Sequence, residues 1–208
     1  MAYLAEKLYD LSISPLVDFP DAPPLRELTA ARQSGRLRKF TADEVPNEAT
    51  IMSNGKYIPA FLNISSFFAV SAEVKDEMER LEPDTHQFFP VALKRHNPSP
   101  KRPILKPGGE VLDQPYFLFN SGLQLDPVII ERSNVKVTRY ANGNILVQSY
   151  VGNYDIVLSK SVIANHHIWI GNRHLSGWGG GLFFSDTLGD EIIKRKWRGL
   201  KMHKLAEE

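Results

Sequence analysis

No cysteine occurs among the 208 residues, which excludes disulfide staples, a thiolate nucleophile and any cysteine-ligated zinc. No apolar run approaches the roughly twenty residues that a membrane helix needs, so no membrane partner is expected. The opening stretch MAYLAEKLYDLSIS carries Glu6 and Asp10 and has no basic stretch leading into an apolar run. It does not have the form of a secretory signal, and a cytoplasmic location is the expectation. Neither sign of charge dominates: 25 Lys and Arg stand against 24 Asp and Glu. That balance lacks the basic surplus of a general nucleic-acid binder, which makes nucleic acid an unexpected partner. Catalytic patterns are missing too. There is no H-E-x-x-H, and Asp84, Asp113, Asp126 and Asp155 are scattered with no spacing that would pair two carboxylates.

What is present is an ordinary globular composition, 42% hydrophobic and 24% charged, outside the range of disordered chains. The length supports one sizeable core, and the expectation is a single domain over residues 1–208, with a less recognisable N-terminal portion over about 1–65.

The most informative feature is a unit used twice: an aromatic strand end, a serine, an amphipathic helix and a short final strand. The first copy runs from Phe67 to Leu93 and the second from Leu182 to Leu205. Counting from Ser71 and Ser185, each copy places apolar residues three positions on (Val74, Leu188) and seven positions on (Met78, Ile192), on one helix face. The spacing predicts helices over about 71–82 and 186–198, each with one buried stripe. The serines suit N-caps, with Glu73 and Asp186 at the positive end of each helix dipole. Asp76, Glu77, Glu79 and Glu82 are expected to keep the outer face of the first helix acidic. Lys194, Arg195, Lys196 and Arg198 place cations at the end of the second.

Elsewhere Pro15, Pro20, Pro23 and Pro24 interrupt the opening segment, and a short helix is expected over Pro24 to Lys39. Tyr57 to Phe68 suits one or two buried strands. A proline-rich loop is expected between Lys94 and Gly109. Lys136–Tyr140 and Ile145–Tyr150 flank Ala141-Asn142-Gly143-Asn144, a strong hairpin signal. Tyr154–Leu158 and Val162–Ile170 are further strand candidates, followed by the glycine-rich connection GNRHLSGWGGG. The fold class is α+β: a mainly antiparallel sheet, a β-hairpin at 136–150 and two Ser-capped helices packed on it.

Three groups invite a chemical reading. His166, His167 and His174 are the only dense histidine cluster, but neighbouring histidines on a strand point to opposite faces and cannot both ligate one ion. Trp178-Gly179-Gly180-Gly181 precedes a strand rather than a helix, unlike a phosphate loop. Ser185 lies in FFSDT, not G-x-S-x-G, and the sequence shows no base partner for it. The basic residues Lys94, Arg95, Lys101, Arg102 and Lys106 lie in a stretch without acids, Thr85 to Gly109, that lacks interleaved aromatics. No catalytic residue, cofactor or metal is expected.

The same repeat carries a family resemblance. A strand ending in Ser-Asp, a helix, a Gly-Leu turn and a closing strand resembles the C-terminal signature of the polymorphic-toxin immunity proteins of family eleven. SAEVKDEMERLEPDTHQFFPVAL resembles that family's serine, helix, F-x-P-V segment, and PYFLFNSGLQLDPVIIERSNV resembles its Y-x-L-x-N segment. Coverage runs from about Phe67 to Leu205, best over Tyr116–Ser133 and Leu182–Leu200. The resemblance implies a bacterial protein that catalyses no reaction and neutralises a cognate secreted toxin by binding it. Arg173, His174 and Trp178 are the expected contact anchors, of the residue types that dominate interfaces. The acidic face of Glu73, Glu77 and Glu79 is the second candidate surface. The alternatives are a metal-dependent hydrolase or nuclease built on His166, His167 and His174, or a structural scaffold domain.

Overall fold

The computed structural model describes residues 1–7, 17–19, 37–52, 57–64, 67–99, 102–106, 108–139, 141, 145–149, 155–171, 175–176 and 181–208. Its elements in chain order are β1 (Ala2–Lys7), β2 (Val17–Asp18), β3 (Glu48–Ile51), β4 (Phe61–Ile64), β5 (Phe67–Val70), α1 (Ala72–Leu81), β6 (Gln87–Arg95), β7 (Tyr116–Asn120) and β8 (Gln124–Leu125). They continue with β9 (Val135–Arg139), β10 (Ile145–Ser149), β11 (Val157–Leu158), α2 (Lys160–Ile163), β12 (Ile168–Gly171), β13 (Leu175–Ser176), β14 (Leu182–Ser185), α3 (Asp186–Lys194), β15 (Leu200–Lys204) and β16 (Ala206–Glu207). The class is α+β with strands dominant, but the single, mainly antiparallel sheet is replaced by several. One is a closed barrel in the order β2-β3-β6-β7-β5-β4, and another is a five-stranded sheet in the order β15-β1-β14-β12-β8. The barrel closes through two parallel pairings, β2 with β4 and β3 with β6. Pairings between strands so distant in sequence leave no local signal.

The repeated unit is a topological repeat. β5, α1 and β6 form a crossover whose two strands flank β7, each antiparallel to it. β14, α3 and β15 form the same crossover around β1. In both copies an antiparallel strand precedes the crossover, β4 beside β5 and β12 beside β14. The serine N–H makes the same bond in each: Ser71 donates to the Ala60 carbonyl and Ser185 to the His167 carbonyl, both at 2.9 Å and both to the residue just ahead of the preceding strand.

Pleating divides these strands between three cores. Leu62, Ile64, Phe67, Ala69, Tyr116 and Leu118 fill the barrel. Their alternates Phe61, Phe68, Val70 and Phe119 face a second core. There the stripes of both helices meet: Val74 and Met78 of α1 join Leu188 and Ile192 of α3, with Ile168, Leu182 and Phe184 of the five-stranded sheet. The far side of that sheet buries Ala2, Leu4, Trp169 and Phe183 with Ile156, Leu158 and Leu205. Each of these strands is covered on both faces, which is why FFAV and LFF read as unbroken apolar runs. β1 sits between β14 and β15, so the opening residues are core. Gly189 allows Tyr3 to lie against α3, since a Cβ there would overlap the Tyr3 ring.

Several local expectations need correction. Ser71 occupies the N-cap of α1, but its buried hydroxyl makes no capping bond and has no partner among the described residues. Ser185 does accept from the Leu188 N–H, at 3.4 Å. α3 ends at Lys194 rather than near Arg198, because Lys196 takes a left-handed conformation, φ 55°. The Lys196 and Trp197 N–H groups then close a Schellman motif onto the Ile193 and Ile192 carbonyls. Val162 and Ile163 belong to the helical turn α2, and the strand begins only at Ile168. Lys94 and Arg95 belong to β6, whose Pro90 is tolerated because the strand is paired on one side only there: residues 87–91 pair with β7, and the pairing with β3 begins at Ala92. β9 and β10 pair antiparallel as expected, from Ile145 opposite Arg139 to Ser149 opposite Val135, and the Asn142-Gly143 turn itself lies outside the described residues. Residues 37–40 are not helical, and the rest of the Pro24–Lys39 prediction lies outside the described residues.

Candidate partner-binding site

Glu82, predicted on the acidic outer face of α1, is instead buried at its C-cap. Its carboxylate accepts from the His167 N–H at 2.8 Å and the Ile168 N–H at 3.1 Å. It also accepts from Nε2 of His86 at 2.6 Å. The Gly122 N–H donates to Nδ1 of His86, which sets the ring in its Nε2–H tautomer. Burial raises the Glu82 pKa, but the hydrogen bonds from His86 and His167 outweigh it and leave the carboxyl below its ordinary value. Glu82 thereby ties the end of α1 to the start of β12. The reverse bond is also present: the Phe61 N–H, at the start of β4, donates to the Arg198 carbonyl just past α3, at 2.9 Å. Each copy of the repeat is anchored beyond the other's helix. Glu82 followed by a histidine four residues on was the one sequence signal for this hub.

The histidines do not form a metal centre among the described residues, where no group of three or more His, Asp or Glu side chains is placed to hold an ion. His166 brings Nδ1 to 3.6 Å from Glu82, while His174 lies outside the described residues. His167 and Ser185 do meet, with Nδ1 2.9 Å from Oγ. That supplies the imidazole partner for Ser185 that the sequence did not reveal. Glu82 bonds the backbone N–H of His167 and not its ring, and the Ser185 oxygen also caps α3. The pair locks the start of α3 to the strand ahead of it.

A cleft of about 420 Å³ opens where the two helices' loops converge. Its walls are Ser71, Ala72 and Glu73 at the start of α1, Lys106 with residues of the 108–116 segment, and Arg195 to Arg198 beyond α3. Tyr116 is buried behind it and donates to the Pro59 carbonyl at 2.9 Å, and burial pushes its phenol pKa well up. Lys106 lies 3.1 Å from Asp113 and 3.9 Å from Glu73; the Asp113 hydrogen bond raises the lysine's pKa and holds the aspartate's down. The Arg195 guanidinium lies over the Trp197 ring, 5.1 Å from its centroid.

Of the predicted contact residues, Arg173, His174 and Trp178 lie outside the described residues. The acidic face of α1 is placed, and most of it is paired. Glu79 meets Lys75 at 2.5 Å, and Glu77 meets Arg80 at 2.5 Å and Arg195 at 3.9 Å. The Arg80 hydrogen bond is the main cause of a lowered Glu77 pKa. Glu73 belongs to the cleft. The basic stretch is similarly committed: Lys94 pairs with Glu48, and Arg95 donates to the Arg102 carbonyl at 3.0 Å. No sequence pattern announced the cleft, because its walls come from three segments brought together by the repeat.

The model of the immunity protein family Imm11 matches residues 18–207, nearly the whole chain and more than the motifs alone covered. The chain belongs to the Imm11 immunity protein family. Membership implies a toxin protein as partner. No curated protein matches the chain. Among the described residues no helix is long and apolar enough to cross a membrane.

Proposed function

We propose that this Imm11 protein protects the bacterial cell that makes it by binding and occluding a cognate secreted toxin, in the cytoplasm and without catalysing a reaction. The observation that carries the reading is the family match across residues 18–207. Two further points support it. Ser185, His86 and His167 are engaged in hydrogen bonds that join elements of the fold. The fold also has aromatic and arginine side chains at its surface of the kinds that anchor protein interfaces. Arg173, His174 and Trp178 remain proposed anchors. The acidic group of Glu73, Glu77 and Glu79 remains the second proposed surface, and Glu73 is the least tightly paired of the three, 3.9 Å from Lys106.

Binding alone suffices for protection, and standard interfaces bury roughly 1,600 Å² with a few residues carrying most of the energy. Co-expression with the toxin domain encoded beside this chain tests the proposal. Restored growth together with co-purification is the expected result. Growth arrest with no complex, from a well-folded protein, would count against it.

A further inference from the structure

Four cationic side chains, Lys106, Arg195, Lys196 and Arg198, line the cleft between α1 and the turn after α3, against two acids, Glu73 and Glu110. Lys106 and Arg195 are held by neighbouring carboxylates. Lys196 and Arg198 are exposed and form no ion pair among the described residues. At the cleft's inner wall stands the N-terminus of α1, a helix of 10 residues that no side chain caps. Its first N–H groups have no acceptor within the helix and carry the positive end of the dipole. Ser71, only 8% exposed, belongs to the same wall, and its buried hydroxyl has no partner among the described residues. A buried hydroxyl left unbonded is uncommon, and one beside an uncapped helix start and two unpaired cations points to a missing anionic acceptor.

Building on the toxin-binding reading, we infer that this cleft receives a carboxylate-bearing loop of the toxin protein, an Asp or Glu side chain directed at the start of α1 with Lys196 and Arg198 closing over it. Charge complementarity selects an acidic occupant. The volume, about 420 Å³, exceeds a bare anion and suits a side chain with its flanking atoms. Trp197, half-buried beneath Arg195, offers the aromatic surface against which such a loop packs. Lys196 also holds its left-handed backbone, φ 55°, at a position where glycine is the residue of least strain. A charged side chain there serves the cleft rather than the turn.

The test is titration calorimetry of the cognate toxin domain into the wild-type protein, Lys196→Gly, Arg198→Glu and Ser71→Ala, each with a thermal melt. Lys196→Gly is the decisive variant, because it relieves backbone strain while deleting the charge. The expected result is a melting temperature at or above that of the wild type with affinity weakened at least about tenfold. Arg198→Glu weakens binding at least as much, and Ser71→Ala leaves the fold intact with a smaller loss. Wild-type binding that all three variants retain overturns the cleft assignment and leaves the toxin-binding reading standing. Failure of the wild type to bind overturns that reading itself. Inorganic phosphate is the control for a small anion. If it raises the wild-type melting temperature but not that of Lys196→Gly, while toxin affinity is the same for both, the cleft is a free-anion site and the inference falls.

Discussion

Glu82→Ala removes one carboxylate and strands three donors, the N–H groups of His167 and Ile168 and the His86 Nε2–H. Hydrogen bonds to a charged group contribute about 1.5–3 kcal/mol each. Because the stranded groups relax together, the total is set by the cost of breaking a buried charged pair, about 3–5 kcal/mol. A chain of this size loses about 2–4 °C per kcal/mol, so the melting temperature falls by roughly 6–20 °C. Differential scanning calorimetry at neutral pH measures it. Glu82→Gln keeps the shape and one accepting oxygen, and falls between the wild type and the alanine variant. The pH dependence gives an independent reading. Burial opposes ionisation of Glu82, but its hydrogen bonds win and its folded pKa lies below the ordinary 4.5. The folded state therefore binds that proton less readily than the unfolded chain, and the stabilisation is fully present above pH 4.5 and lost as pH falls through the folded value. The gap between the wild type and Glu82→Gln should accordingly narrow in acid. An alanine variant that melts within about 3 °C of the wild type would refute the view that Glu82 joins the two repeats.

The two serines should behave differently despite their matching positions. Ser185→Ala costs about 0.5–2 kcal/mol by loss of a cap, whereas Ser71→Ala changes stability by less than about 0.5 kcal/mol because no bond is lost; paired urea titrations decide. Gly199→Ala is destabilising by about 1–3 kcal/mol in the same assay, since Gly199 has φ 112° and an added methyl would run into the Phe61 carbonyl oxygen. Tyr3 donates to Asp190 at 2.5 Å, and that bond, with burial, raises its pKa from 10.0 to about 12. The associated stability is intact below pH 10 and lost as pH rises toward 12. Tyr3→Phe should remove this alkaline loss, seen as a flatter melting profile above pH 10.

The repeat was legible in the sequence because its parts are local: an apolar strand end, a serine and the pairs Val74/Met78 and Leu188/Ile192 at helical spacing. Both copies fold as strand, helix and strand, although Ser71 makes no capping bond and α3 stops at Lys194, and β9 pairs antiparallel with β10. Illegible were the features made by distant segments. β1 gave no strand signal because Ala2, Tyr3, Leu4 and Ala5 are all buried, so no alternation marks it. The barrel depends on β2 meeting β4 and β3 meeting β6 in parallel, contacts that no turn specifies. Glu82 was misplaced for a related reason. Helical periodicity puts it on a polar face, and only the approach of His167 and Ile168 from the other repeat makes that position interior. The contact anchors drawn from the glycine-rich connection, Arg173, His174 and Trp178, lie outside the described residues, whereas Trp197 and Arg198 pass in the sequence as the basic end of a helix. Their role at a cleft follows from the Schellman turn at Lys196, which ends α3 early and turns the chain back toward α1.

The most direct measurement is calorimetric titration of this protein with the toxin domain encoded beside it, accompanied by growth of cells that carry the toxin with and without this chain. The account predicts a tight, saturable complex and rescue of growth, with both lost together in binding-defective variants that still melt at the wild-type temperature. A folded protein that neither binds that domain nor restores growth would contradict it.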